Sequence, residues 1–257
     1  METFKAFTDT GSFYEWLKGV YKGMTQRNYD FVLVIVGGER LGKTSLGIRI
    51  MYDFNKPQFV YNGSISICNI SMNGEMYIND IVEKNRGNLI QFDEAVDGMY
   101  SRDAMSPRNK KINKKLMKCG FLNIFHILCL PNFKAIDNNI REHRVGALIK
   151  IVERGKYLAY SSAEAKKIAA KKGDFNAGKP SSKGWWPKSS EDDDYNELIK
   201  QYKKLELRYK LDHDEEIDKR NMIITKLYRR GGLTQQELAD LFGITNQRIN
   251  QILKTTK

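Results

Sequence analysis

Residues Phe31–Ser45 read FVLVIVGGERLGKTS, and this stretch decides how the chain folds. Its first six residues are all apolar, and Val32, Val34, Ile35 and Val36 are β-branched. An apolar run this short, bounded by glycine, reads as a strand buried on both faces, as in a parallel sheet. Gly37–Thr44 then fits the pattern G-x-x-x-x-G-K-[ST], and Thr44–Phe54 places its apolar residues at helical period. Strand, glycine loop and helix in that order suit a phosphate. The glycines let backbone N–H groups turn inward, and the helix adds its positive N-terminal end. Lys43 brings a charge to the β- and γ-phosphates, and the Thr44 hydroxyl can ligate Mg²⁺. The expected nucleotide-binding set is Gly37, Gly38, Glu39, Arg40, Leu41, Gly42, Lys43, Thr44 and Ser45.

Working outward, Asn88–Phe92 and Ile124–Leu130 read as two more buried strands. Short strands are expected at Gln58–Tyr61 and Ile65–Ile70, and helices at Phe13–Tyr21, Met76–Lys84 and Asn109–Cys119. Val145–Val152 and Lys156–Ser161 flank Arg154-Gly155 and read as a hairpin. Strands alternating with helices predict an α/β domain, a mostly parallel sheet flanked by helices, over residues 1–170. Residues 171–190 are rich in Gly, Pro, Ser and charge and read as a linker. Within them Trp185-Trp186-Pro187 reads as an anchor on the domain, with base stacking as the alternative. Residues 191–257 are expected to form a small all-α region, with helices at Tyr195–Leu211 and Ile217–Tyr228 before a compact helical end.

The strand Asn88–Phe92 ends in Asp93-Glu94. An aspartate at a strand end beside a phosphate loop can hold Mg²⁺, which gives Thr44 and Asp93 as the metal set, and Glu94 can polarise an attacking water. Walker A followed fifty residues later by a strand ending in Asp-Glu resembles the additional-strand, catalytic-glutamate group of P-loop ATPases. That group includes RecA-like motors and FtsK–HerA DNA pumps. Phe92-Asp93-Glu94-Ala95, Ser101-Arg102-Asp103 and a Lys/Asn-rich helix before the next strand look most like zonular-occludens-toxin-like ATPases of viruses and mobile elements. The resemblance spans about residues 31–151. It implies ATP and Mg²⁺ as cofactors, catalysis by Lys43, Asp93 and Glu94, and Asn132 as a γ-phosphate sensor. It also implies a homo-oligomer, with a hexameric ring among its forms, in which Arg144 or Arg141 reaches a neighbour's nucleotide.

The chain has 257 residues and a formal net charge of +12. The excess is not spread evenly. Residues 102–120 hold seven basic side chains against one acidic, and residues 141–190 hold twelve against four. Lys110, Lys111, Lys114, Lys115 and Lys118 fall on one face of the helix expected at Asn109–Cys119, a natural surface for a DNA backbone. No run of about 18 apolar residues predicts a membrane helix. The N-terminus has no basic start with an apolar stretch behind it, so a cytoplasmic protein is expected. Cys68, Cys119 and Cys129 lack metal-ligand spacing and read as buried thiols. His126 and His143 carry no nucleophile or metal spacing beside them.

Leu233–Lys254 reads LTQQELADLFGITNQRINQILK. Thr234 and Glu237 make a capping box, Gly243 supplies a tight turn and Thr245 caps a second helix. Ala239, Gly243, Ile244 and Ile249 stand at the spacing of a helix-turn-helix, and the region resembles bacterial-type domains of that kind. Asn246, Gln247, Arg248, Asn250 and Gln251 would then read base edges, with Arg229 and Arg230 on phosphate. Together these features predict an ATP-hydrolysing DNA-handling protein, a motor or loader. A nucleotide-switched transcriptional regulator, or an assembly ATPase whose helical end binds protein, are the alternatives.

Overall fold

The structure is a computed structural model and describes residues 5–6, 12–61, 64–65, 69–83, 87–93, 95, 99, 107–186, 192–231 and 233–255. Contacts divide the chain into two compact units, Met1–Gln201 and Tyr202–Lys257.

The first unit is α/β. In chain order it contains β1 (Lys5–Ala6), α1 (Phe13–Arg27), β2 (Phe31–Val36), α2 (Lys43–Phe54), β3 (Val60–Tyr61), β4 (Ser64–Ile65), β5 (Ile70–Ser71), α3 (Gly74–Glu83), β6 (Leu89–Phe92), α4 (Pro107–Lys118), β7 (Phe125–Leu130), α5 (Asn138–His143), β8 (Val145–Glu153), β9 (Lys156–Ser161), α6 (Ser162–Ala170) and β10 (Ser182–Trp185). Eight strands form one sheet in the order β1-β10-β9-β8-β2-β7-β6-β5. The run β8-β2-β7-β6-β5 is parallel throughout, while β9 is antiparallel to both β8 and β10. The expected mostly parallel sheet flanked by helices is therefore present. Val32 to Val36 of β2 are all buried, because β2 lies between β7 and β8 with helices on both faces. Each such apolar side chain contributes about 1.5–3 kcal/mol on burial.

One face of the sheet packs Val34, Phe92, Leu128 and Leu148 against Tyr77 and Ile81 of α3, Ile112 and Leu116 of α4, Ile140 of α5 and Ile168 of α6. Along α4 and the turn that follows it, the inward residues Ile112, Leu116 and Cys119 recur every three to four positions. The other face carries α1 and α2. There Phe54 and Tyr21 meet Phe125 edge-on at 5.9 and 6.2 Å between ring centroids, and Phe31 stacks on it at 5.1 Å. Asn28, at φ 57°, closes α1 in the left-handed conformation that asparagine tolerates.

Residues 171–186 pack onto the domain instead of spanning freely. β10 pairs along β9, from Ser182 opposite Ala159 to Trp185 opposite Lys156. Gly184 makes this possible, because a Cβ there would collide with the Tyr157 hydroxyl. Trp186 is buried, and its N–H donates to the Gly155 carbonyl at 2.9 Å. Pro187 lies outside the described residues.

Helix α7 spans Asp193–Arg229, where two helices were expected. No Gly or Pro interrupts residues 211–217, and i,i+4 ion pairs such as Lys210–Glu206 at 2.6 Å and Lys219–Glu215 at 3.5 Å run through this polar section. Its first turns belong to the first unit, where the Tyr195 hydroxyl donates to the Ser45 carbonyl at 3.2 Å. In the second unit α8 (Gln235–Phe242) and α9 (Asn246–Thr255) follow it. Ile224, Leu238, Ala239, Ile249 and Ile252 form that unit's own core. Both bonds of the Thr234–Glu237 capping box are made, and Gly243 at φ 64° ends α8.

Candidate functional site

Parallel strands carry their functional loops past their C-terminal ends, and three such loops lie side by side here. The loop after β2 is Gly37–Gly42, the residues after β6 begin with Asp93, and those after β7 are Pro131 and Asn132. β7 lies between β2 and β6, and the Gly37 N–H donates to the Leu130 carbonyl, tying the first loop to the end of β7 at 3.3 Å.

The glycine loop has the backbone its sequence implies. Gly42 stands at φ 94° as the N-cap of α2, and Arg40 adopts φ 59° within the loop. A side chain at Gly42 would be strained by its backbone. Gly37 approaches β8 so closely that a Cβ would lie 3.1 Å from Ile151 Cβ. Lys43 folds back over the loop, and its Nζ donates to the carbonyls of Gly37 at 3.0 Å and Gly38 at 2.9 Å. A lysine held this way hovers over the nest that its own loop forms, ready to exchange carbonyl partners for phosphate oxygens. Glu39 and Arg40 are exposed at the tip, and Leu41 and Ser45 are half-buried.

The Thr44 hydroxyl donates to Asp93 Oδ1 at 2.8 Å, joining residues forty-nine positions apart in sequence. Asp93 is almost fully buried, and its backbone N–H donates to the Ser71 carbonyl at 2.9 Å. A threonine hydroxyl and a carboxylate held together beside a phosphate loop are the hard oxygen donors that Mg²⁺ prefers, so the pair fits that ion. Behind them Gln91 Nε2 donates to the Thr44 carbonyl at 3.4 Å, and Gly47 of α2 leaves room for the Gln91 side chain. Cys129 is buried under the site, where burial first and the Asp93 charge second push its thiol pKa well up. It stays a neutral thiol.

Sequence reasoning missed one contributor to this loop. The Trp186 ring packs against Gly42, 3.5 Å from where a Cβ would stand, and lies 6.1 Å from the Tyr157 ring. The Trp-Trp pair marked an anchor, but nothing in its spacing showed that it anchors to the phosphate loop.

The remaining expected site residues fall in several places. Asn132 is exposed, two residues past β7, on the same sheet edge as the phosphate loop. Glu94 lies outside the described residues, as do Ser101, Arg102, Asp103 and Cys68. Arg141 is buried on α5, with Nη2 donating to Asn138 Oδ1 at 2.6 Å. Arg144 precedes β8 and is ion-paired with Asp30, which precedes β2. Both of those strand starts are at the N-terminal ends of the parallel strands, opposite the glycine loop, so Arg144 is not brought to that loop in its own chain.

Lys110, Lys111, Lys114, Lys115 and Lys118 are all exposed along α4, beside exposed Met117. In the second unit Asn246, Gln247, Arg248, Asn250 and Gln251 of α9 are exposed, as are Arg229 and Arg230. Thr245 caps α9 by accepting the Arg248 N–H at 3.2 Å, and Arg248 Nη1 donates to Gln251 Oε1 at 3.2 Å.

No family model matches the chain, and no curated protein matches it. Among solved structures, it is similar to the N-terminal domain of zonular occludens toxin from Neisseria meningitidis. The identity is 19% and the TM-score 0.39, over 56% of this chain and 91% of that one. It is also similar to the genome packaging NTPase B204 from Sulfolobus turreted icosahedral virus 2 in complex with ATP-gammaS. There the identity is 13% and the TM-score 0.38, over 52% of this chain and 92% of that one. At TM-scores this low neither likeness bears on the chemistry of the site, which rests on the strand-loop-helix geometry and the Thr44–Asp93 pair.

Proposed function

We propose that the chain is a Mg²⁺-dependent ATPase that handles DNA, with the first unit hydrolysing ATP and the second selecting a DNA site. The observation that carries this reading is the Thr44–Asp93 hydrogen bond at the mouth of a glycine loop that already cradles Lys43. Gly37–Ser45 bind the triphosphate through backbone N–H groups, and Lys43 neutralises charge on the β- and γ-phosphates. Thr44 and Asp93 would hold Mg²⁺, which would supply positive charge against the negative charge developing on the phosphates. Glu94 orients the attacking water, and Asn132 monitors the γ-phosphate from the neighbouring strand end.

The lysine row on α4 supplies sequence-independent contact with the phosphate backbone, and the exposed polar side chains of α9 supply selection. Assembly into a homo-oligomer would let Arg144 or Arg141 act on a neighbour's nucleotide, Arg144 after leaving Asp30 and the buried Arg141 after leaving Asn138.

ATP hydrolysis measured with and without DNA tests the reading. Wild type should be stimulated by DNA. Lys43→Ala should lose about a hundredfold or more in rate. Glu94→Gln should keep ATP binding and lose turnover. A wild-type rate indifferent to DNA, together with a footprint at one specific site, would favour the transcriptional regulator. Failure to bind either nucleotide or DNA would end both readings.

A further inference from the structure

At the sheet edge opposite the phosphate loop, four segments that are far apart in sequence bring polar side chains together. Asp30 precedes β2, Cys119 follows α4, His126 lies in β7 and Tyr77 in α3. Cys119 Sγ is 3.6 Å from His126 Nε2 and 3.6 Å from Asp30 Oδ2. One ligand atom from each of Asp30, Cys119 and His126 lies within 4.8 Å of the other two. Cys119 and His126 are buried, and the Asp30 side chain is 7% exposed.

We propose that Asp30, Cys119 and His126 form a binding site for a zinc-class divalent cation that staples the end of the basic helix α4 to the sheet. Tetrahedral zinc holds sulfur at about 2.3 Å and nitrogen at about 2.0–2.1 Å, which separates the two ligand atoms by about 3.5–3.6 Å. The Cys119–His126 and Cys119–Asp30 separations have this value before any rearrangement. Thiolate, imidazole and carboxylate together select zinc over Mg²⁺, which takes oxygen ligands alone.

The outer contacts are those of a ligand set. His126 Nδ1 lies 2.8 Å from the Tyr77 hydroxyl. A proton on Nδ1 donated to that oxygen leaves the Nε2 lone pair facing Cys119, and such a partner fixes both tautomer and ring orientation. Arg144 is half-buried and ion-paired with Asp30. On binding, the Cys119 S–H bond gives up its proton to water and a sulfur–metal bond forms. With Arg144 still on Asp30, the thiolate and the Asp30 carboxylate face three positive charges, two from the cation and one from Arg144. None of this depends on ATP hydrolysis, so the site stands or falls separately from the function proposed above.

Cobalt(II), added to the full-length chain in excess Mg²⁺, tests the site. We expect one equivalent to bind with a thiolate-to-cobalt charge-transfer band and the intense visible absorption of a tetrahedral ion. One equivalent of zinc should abolish both. The band should vanish in Cys119→Ser and persist in Cys68→Ser and Cys129→Ser. Tyr77→Phe should weaken affinity about ten- to a hundredfold. A wild-type spectrum without thiolate charge transfer overturns the proposal, and so does a band that survives Cys119→Ser. Should Cys119→Ser fail to fold, X-ray absorption of zinc on the wild-type chain decides. One sulfur in the first shell supports the site, and oxygen ligands alone overturn it.

Discussion

Lys43 can be read as a pre-paired cation. Its Nζ rests on the Gly37 and Gly38 carbonyls, so binding a triphosphate, as proposed, would exchange two neutral acceptors for charged ones. Trp186 is the residue next in consequence, because its ring lies against Gly42 and any shift of the loop alters its surroundings. ATP should therefore change the tryptophan emission of wild type, and Trp186→Phe should remove most of that change. Trp186→Ala should destabilise the first unit by about 3–5 kcal/mol, read as a fall in the denaturant midpoint. Some of this was legible from residues alone. G-x-x-x-x-G-K-T states its own backbone, and the strand ending in Asp93 identified the partner that Thr44 meets. The Asp30, Cys119 and His126 cluster was not legible. Its members come from three segments with no ligand spacing, and only the parallel register of β2 and β7 brings their starts together.

Helix α4 joins two properties in one element. Ile112, Leu116 and Cys119 hold it to the core, which leaves Lys110, Lys111, Lys114, Lys115 and Lys118 outside. If these lysines contact a DNA backbone, replacing all five with Ala should flatten the dependence of log affinity on log salt. The slope should fall by up to about 0.9 per lost phosphate contact. Nitrocellulose filter binding across a salt series measures this. Helix α8 depends on a different charge. The Glu237 carboxylate accepts the Thr234 N–H at 2.7 Å and the Thr234 hydroxyl at 2.8 Å, and these bonds lower its pKa below the usual 4.5. A depressed carboxylate stabilises the fold above its unfolded pKa and loses that contribution as pH falls through the folded value. Protection of the amides in the first turn of α8, taken relative to their intrinsic exchange rates, should therefore fall below about pH 4.5, and Glu237→Gln should remove the dependence.

The elements legible in sequence were those whose apolar residues announce them, namely β2, β6, β7 and the β8–β9 hairpin. β10 was not, because Ser182-Lys183-Gly184-Trp185 carries no alternation. It is a strand because β9 offers an open edge and Gly184 clears Tyr157. α7 was read as two helices because residues 212–216 are all polar, yet polar residues without Gly or Pro propagate a helix well.

Under the proposed function, hydrolysis and selection fall to different units. Every residue of the glycine loop, with Asp93 and Asn132, lies before Gln201, and the exposed face of α9 lies in the unit after it. Deleting residues 202–257 should accordingly leave ATP hydrolysis and its stimulation by DNA, while preference for any one DNA sequence disappears. Competition binding with random and selected duplexes checks the second half. Among the described residues no helix is long and apolar enough to cross a membrane.

Among the described residues, the large sheet ends at both sides in strands of two residues, β1 and β5. An edge that short offers a neighbouring chain almost no row of free amide and carbonyl groups to zip onto. Strand-to-strand addition at these two edges would therefore be disfavoured, and any association between copies would rest on side-chain contacts.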